Sequence, residues 1–126
     1  MNIGHQTELE VALLATKMGI EVSMPINPEC RYDQIWDIKG KLIKIQIKTA
    51  TLSESGEYIQ FNCQAKRVYK ENEVDALVTI HNGVLYLVPF EEMNKSSYKK
   101  LYFNLQKKSA MNYYQVNWAE DYKFSI

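Results

Sequence analysis

The sequence predicts a mixed α/β fold, a central sheet flanked by helices, and three patterns carry that prediction. Leu42 to Thr49 alternates strictly, with Ile43, Ile45 and Ile47 on one face and Lys44, Gln46 and Lys48 on the other. That is the period of a half-covered strand. A helical run from Gln6 to Met18 precedes it and stops at Gly19. Val74 to Ile80 is short, apolar and β-branched, and His81-Asn82-Gly83 then supplies the best hairpin turn in the chain. At 126 residues the expectation is one domain, residues 1–126, with about two-thirds of its unfolded surface buried in one core.

Taken in order, the first helix is apolar around much of its circumference and is expected to pack deep against the sheet. Glu8 shares a stripe with Val11, Ala12, Ala15 and Met18, and an acid heading a core-facing stripe is costly without a partner. In the plainer view it is a first-turn acid favoured by the helix dipole. Glu10 is the competitor, but Leu13, Leu14 and Lys17 as neighbours suggest a rim position. Ile20 to Met24 is a short strand ended by Pro25, and Ile26 to Arg31 is a loop.

Tyr32 to Ala50 forms a hairpin about Lys39-Gly40. Pairing Ile38 with Lys41 and Trp36 with Ile43 puts Gln34, Trp36 and Ile38 on the isoleucine face. The same register sets Asp33 opposite Gln46, whereas a slip of one residue would place Asp33 against an isoleucine. An acid, an amide and an ammonium then converge, with facing Cβ atoms roughly 4.5–5.5 Å apart. Lys39 is a poor choice for a turn that needs positive φ at both central residues. Glu57 to Gln64 alternates and reads as the third strand of the meander. Lys66, Arg67 and Lys70 follow it as a phosphate-contacting loop, though bases near a strand end are commonplace. His81 and His5 read as surface residues.

Pro89 to Met93 starts a short helix, and residues 94–126 are basic and aromatic. Lys95, Lys99, Lys100, Lys107 and Lys108 lie in a stretch without an acid. Bases interleaved with aromatics suit contacts to phosphates and base edges. The alternatives are a solvated face for the lysines and a second small core or subunit interface for the rings. Formal net charge is zero, which excludes a uniformly basic nucleic-acid binder, but residues 1–38 carry six acids against Lys17 and Arg31, and the remainder is correspondingly positive. Cys30 and Cys63 have no CxxC partner and read as reduced thiols. No apolar run reaches membrane-span length and no basic-then-apolar leader opens the chain, so a cytoplasmic location is expected.

Tyr-Asp at 32–33, followed by a hairpin and Gln-Ile-Lys-Thr-Ala at 46–50, resembles the PD-(D/E)XK nuclease superfamily. Asp33 stands as the D, Gln46 in the D/E slot and Lys48 as the K. The chain resembles more closely the small endonucleases of bacterial group I introns, which often carry glutamine there. Gly4 to Glu8, Pro25, Val74-Asp75, Tyr86-Leu87-Val88-Pro89 and Trp118-Ala119-Glu120-Asp121-Tyr122 extend the match in order. The resemblance implies a restriction-endonuclease-like fold, prokaryotic or phage origin, and Mg²⁺-dependent cleavage of double-stranded DNA, with Mn²⁺ as a substitute.

By the same resemblance Asp33 is the metal ligand, Glu8 binds directly or through water, and the Ile47 backbone carbonyl is a further ligand. Lys48 then sits beside the attacking water as a fixed positive charge. Gln46 ligates without adding charge, which weakens metal binding. A short chain cutting a long target implies a homo-oligomer, dimer or tetramer. Lys66, Arg67, Lys95, Lys99, Lys100, Lys107 and Lys108 are the expected DNA contacts, and Asp75 is expected to be structural. Two alternatives stand beside homing: a structure-specific nuclease similar to Holliday-junction resolvases, and a catalytically degenerate DNA- or protein-binding module.

Overall fold

The computed structural model describes residues 2–64, 68–105 and 116–126. The first helix, α1 (Ile3–Lys17), starts at Asn2, whose side chain accepts the His5 N–H at 2.8 Å. This cap places the start three residues earlier than apolar periodicity alone suggests. At the other end Gly19 takes φ 92°, the Gly19 N–H donates to the Thr16 carbonyl at 3.0 Å, and the Ile20 N–H donates to the Ala15 carbonyl at 3.1 Å. That pair of bonds is a Schellman closure, which a residue with a Cβ would strain. Only one stripe of α1 is covered, Thr7, Val11 and Ala15, while Leu13 is 57% exposed. The expectation of a deeply buried helix is thus too broad.

The strands are β1 (Glu21–Ser23), β2 (Gln34–Ile38), β3 (Lys41–Ile47), β4 (Thr51–Leu52), β5 (Tyr58–Asn62), β6 (Ala76–His81), β7 (Val84–Pro89) and β8 (Tyr98–Tyr102). α2 (Phe90–Met93) follows β7, and a 3₁₀ turn covers Ala119–Tyr122. Five strands form a sheet of order β1-β2-β3-β6-β7, and β4-β5-β8 form a second sheet. β3 and β6 run parallel and the other pairs antiparallel, so the central sheet is mixed. The β2–β3 register pairs Ile38 with Lys41, Trp36 with Ile43 and Gln34 with Ile45, as the hydrophobic pattern requires. Lys39 does take positive φ (55°) beside Gly40 (89°), and the Asp37 carboxylate accepts the Gly40 N–H at 2.8 Å. The Asn82-Gly83 turn repeats that geometry with better-suited residues.

β5 is not the third strand of the central meander. The place beside β3 belongs to β6, where Ala76, Leu77, Val78 and Thr79 are all buried. A strand covered on both faces needs such a continuous run. β5 buries only Ile59 and Phe61, which suits a sheet with one face in the core. The segment around Lys99 is strand β8.

Two apolar clusters result. Val11, Ala15, Trp36, Ile45, Ile47 and Val78 fill the space between α1 and one face of the central sheet. Ile59, Phe61, Leu77, Val88, Met93 and Leu101 fill the space between its other face and the second sheet. The described C-terminal aromatics divide between the expected roles: Tyr102 is buried and Tyr122 packs against the second cluster, whereas Tyr98 and Phe103 are exposed.

Candidate active site

The β2–β3 ladder stops at Gln34 and Ile45, and Asp33 marks the end. Its N–H donates to the Ile45 carbonyl at 2.8 Å, one residue out of the regular register. Its carboxylate accepts the Ile47 N–H at 2.8 Å. Continued pairing would give that N–H to a backbone carbonyl of β2, so the Asp33 side chain replaces the strand and the two chains part here. Asp33 therefore does not continue the expected pairing with Gln46, but it stays level with that residue through the bonds to Ile45 and Ile47.

Glu8 comes down from α1 to the same fork. Burial raises the Asp33 pKa above the ordinary carboxylate value, more than the Ile47 N–H, a hydrogen bond from Glu8 and the Lys48 charge lower it. Burial also raises the Glu8 pKa, with the Asp33 charge and the shared hydrogen bond adding to it and His5 opposing. His5 Nδ1 lies 3.9 Å from the Glu8 carboxylate. Two carboxyls held together out of water bind a proton between them more tightly than either would alone. The cleft in front of them, about 330 Å³, is lined by His5, Glu8, Pro25, Asn27, Cys30 and Asp33 among others.

The chain fixes this meeting with residues that sequence inspection gave no role. Gln34 is 0% exposed, donates from Nε2 to the Glu8 carbonyl at 2.8 Å, and accepts the Trp36 indole N–H at 2.9 Å. One buried amide thus ties the sheet to the helix at Glu8. Thr7 and Thr49 share a 2.8 Å hydroxyl contact that makes the same connection one residue away at each end, beside Glu8 and Lys48. The available signal was a glutamine on the isoleucine face, since a buried amide has to be hydrogen-bonded.

Gln46 and Lys48 are half-buried at the end of β3. The Gln46 amide donates to the Ile47 carbonyl at 3.5 Å, and the Lys48 charge is felt by both Asp33 and the Cys63 thiol. Glu8 and Asp33 are brought together within range of the Lys48 charge, and Gln46 follows Ile45, whose carbonyl holds the Asp33 N–H. Among the described residues no three His, Cys, Asp or Glu side chains gather as a metal site. Two carboxylates, an amide oxygen and a main-chain carbonyl are nevertheless donors of the kind taken by a hard cation that keeps several of its waters, and burial holds the pKa of both carboxyls above the ordinary value. Asp75 is structural as expected, accepting the Lys44 N–H at 2.8 Å.

Of the basic residues, Lys95 and Lys100 are exposed. Lys99 is committed elsewhere: its ammonium lies 2.7 Å from the Glu92 carboxylate and 4.8 Å from the Tyr122 ring centroid. Lys66, Arg67, Lys107 and Lys108 lie outside the described residues. No described helix is long and apolar enough to cross a membrane.

The fold matches the structure of a bacterial homing endonuclease, I-Ssp6803I, with a TM-score of 0.71 at 22% identity, over 95% of this chain and 83% of that one. No curated protein matches the chain significantly. The family model described as PD-(D/E)XK endonuclease matches residues 1–125, and the chain belongs to that endonuclease family.

Proposed function

We propose that the protein is a Mg²⁺-dependent endonuclease that cuts both strands of duplex DNA, with the homing of an intron as its role. What supports this most is the meeting of Glu8 and Asp33 beside Lys48 at the strand fork. The fold it shares with a homing endonuclease supports the biological role. Asp33 and Glu8 would hold the ion, with the Gln46 amide oxygen and the Ile47 carbonyl completing the protein's share. The bound ion would acidify a water and offset phosphate charge. Lys48 steadies the hydroxide that attacks phosphorus as the 3′ oxygen departs, and its charge needs no reorganisation during the step. Gln34 and the Thr7–Thr49 contact keep Glu8 in reach of Asp33. A homo-oligomer, dimer or tetramer, would present two such sites to two strands.

Plasmid, linear duplex and four-way junction DNA, each incubated with the protein in Mg²⁺ or Mn²⁺, test this directly. Duplex cleavage that Lys48→Ala abolishes while binding persists is the expected result. Cleavage confined to the junction would replace homing with a resolvase-like activity, and equal cutting by Lys48→Ala would remove Lys48 from the chemistry.

A further inference from the structure

β5 and β8 form the longer antiparallel pair of the β4-β5-β8 sheet, with β4 joining β5 only through Thr51 and Leu52 opposite Gln60 and Ile59, and the pair has two different faces. Ile59, Phe61 and Leu101 point into the second apolar cluster. Gln60 and Asn62 take the other face of β5 and pair across to Lys100 and Tyr98. Nothing among the described residues hydrogen-bonds the Gln60 or Asn62 amide, and neither belongs to the residues with a further partner. Tyr98 is 56% exposed, and the Lys100 ammonium lies 4.9 Å from the Tyr58 ring centroid. A hollow of about 290 Å³ opens on this face, with Thr49, Thr51, Gln60 and Asn62 in its lining and no described acid. Glu54 and Glu57, on the β4–β5 connection, do not line it.

We propose that the outer face of the β5–β8 ribbon enters the DNA major groove and that Gln60 and Asn62 read base edges there. This rests on the endonuclease function above and adds where target sequence is recognised. A major groove about 12 Å wide admits a two-stranded ribbon, and Asn and Gln amides pair in bidentate fashion with adenine N6 and N7. Residues i and i+2 of a strand stand roughly 6.8 Å apart, the height of two base-pair steps of about 3.4 Å. Lys100 supplies the charge complementary to phosphate. The face is also continuous with the cutting end: Thr49, in the lining of the hollow, follows Lys48 and bonds Thr7 beside Glu8.

Selection of bound duplexes from a library with a randomised core, using Lys48→Ala protein to prevent cleavage, tests the assignment. The expected outcome is a recovered motif in which adding Gln60→Ala flattens one base pair and adding Asn62→Ala flattens another two steps away. Each preference should fall about 5- to 150-fold, with the other positions kept and the melting temperature unchanged. The same motif with and without the added substitutions, no motif at all, or uniform weakening across all sequences would overturn base reading by this ribbon. Wild-type protein incubated with the selected duplex in Mg²⁺ keeps the two claims apart. A motif read but not cut counts against the nuclease, and a duplex cut without dependence on Gln60 or Asn62 counts against the ribbon.

Discussion

Two groups of charged side chains in this protein have opposite electrostatic character. At the strand fork, Glu8 and Asp33 face each other: burial raises both pKa values, and the Asp33 charge adds to the rise at Glu8 while the hydrogen bond from Glu8 restrains that of Asp33. Beneath the second sheet, Glu92 lies against Lys99 and Tyr122. Burial pushes Glu92 up, but the Lys99 ammonium and the Tyr122 hydroxyl pull it further down, so its pKa is lowered. Burial pulls Lys99 down, yet the Glu92 bond leaves its pKa raised. The second group is complete in itself and holds the 3₁₀ turn against α2. The first sets acid against acid in a cleft, and groups perturbed in that way mark candidate functional sites.

The largest expected effect comes from removing the centre of the unbalanced group. Asp33→Asn should lower the cleavage rate by about 10²–10³-fold, the scale of losing one group that stabilises developing charge, read as initial rates on plasmid DNA. A smaller change would move the metal site away from Asp33. Next, Mg²⁺ should stabilise the wild-type fold, by about 2.7 kcal/mol at a hundred times its Kd, while Asp33→Asn loses the response. Thermal melts with and without Mg²⁺ decide this, and Lys99→Met should retain the full response if the two groups are independent. Lys99→Met itself should cost about 1–3 kcal/mol in urea unfolding, because Glu92 loses its charged partner.

The smallest effect is on pH dependence, where the groups should act in opposite directions. Raised carboxyl pKa values at Glu8 and Asp33 mean that the folded chain holds more protons than the unfolded one. Their stabilisation is full below the unfolded values near pH 4 and is lost as pH rises through the raised ones. Glu92, with a lowered pKa, stabilises above its unfolded value, and that stabilisation is lost as pH falls through the lowered one. Urea midpoints from about pH 3 to about pH 8 should therefore flatten on the alkaline side in Asp33→Asn and on the acid side in Lys99→Met. Identical profiles in both variants would mean that neither pair sets the titration.

Most of the central sheet was legible because its patterns are local. The Ile43-Ile45-Ile47 alternation fixed the β2–β3 register, and Asn82-Gly83 announced its turn. The order of strands was not legible, since alternation in Tyr58–Asn62 shows one covered face without saying which layer covers it. At the site, Glu8, Asp33 and Lys48 could be chosen by residue type and order along the chain. Gln34 could not, because its role depends on where α1 crosses the sheet, and no spacing in the sequence encodes that crossing. The Lys99 ion pair was not legible for a related reason: its acid-free neighbourhood along the chain hid Glu92, brought next to it by folding.

The parallel pairing of β3 with β6 carries a consequence for how such a chain can change. The path from Ile47 to Ala76 leaves the central sheet and returns to the adjacent position, with both ends held by the Ile47–Val78 register. Lengthening this detour adds little closure entropy, and exchanging its outward side chains disturbs neither Trp36 nor Ile45. Mutation can therefore explore new outer surfaces on that excursion while the fork that holds Asp33 is inherited intact.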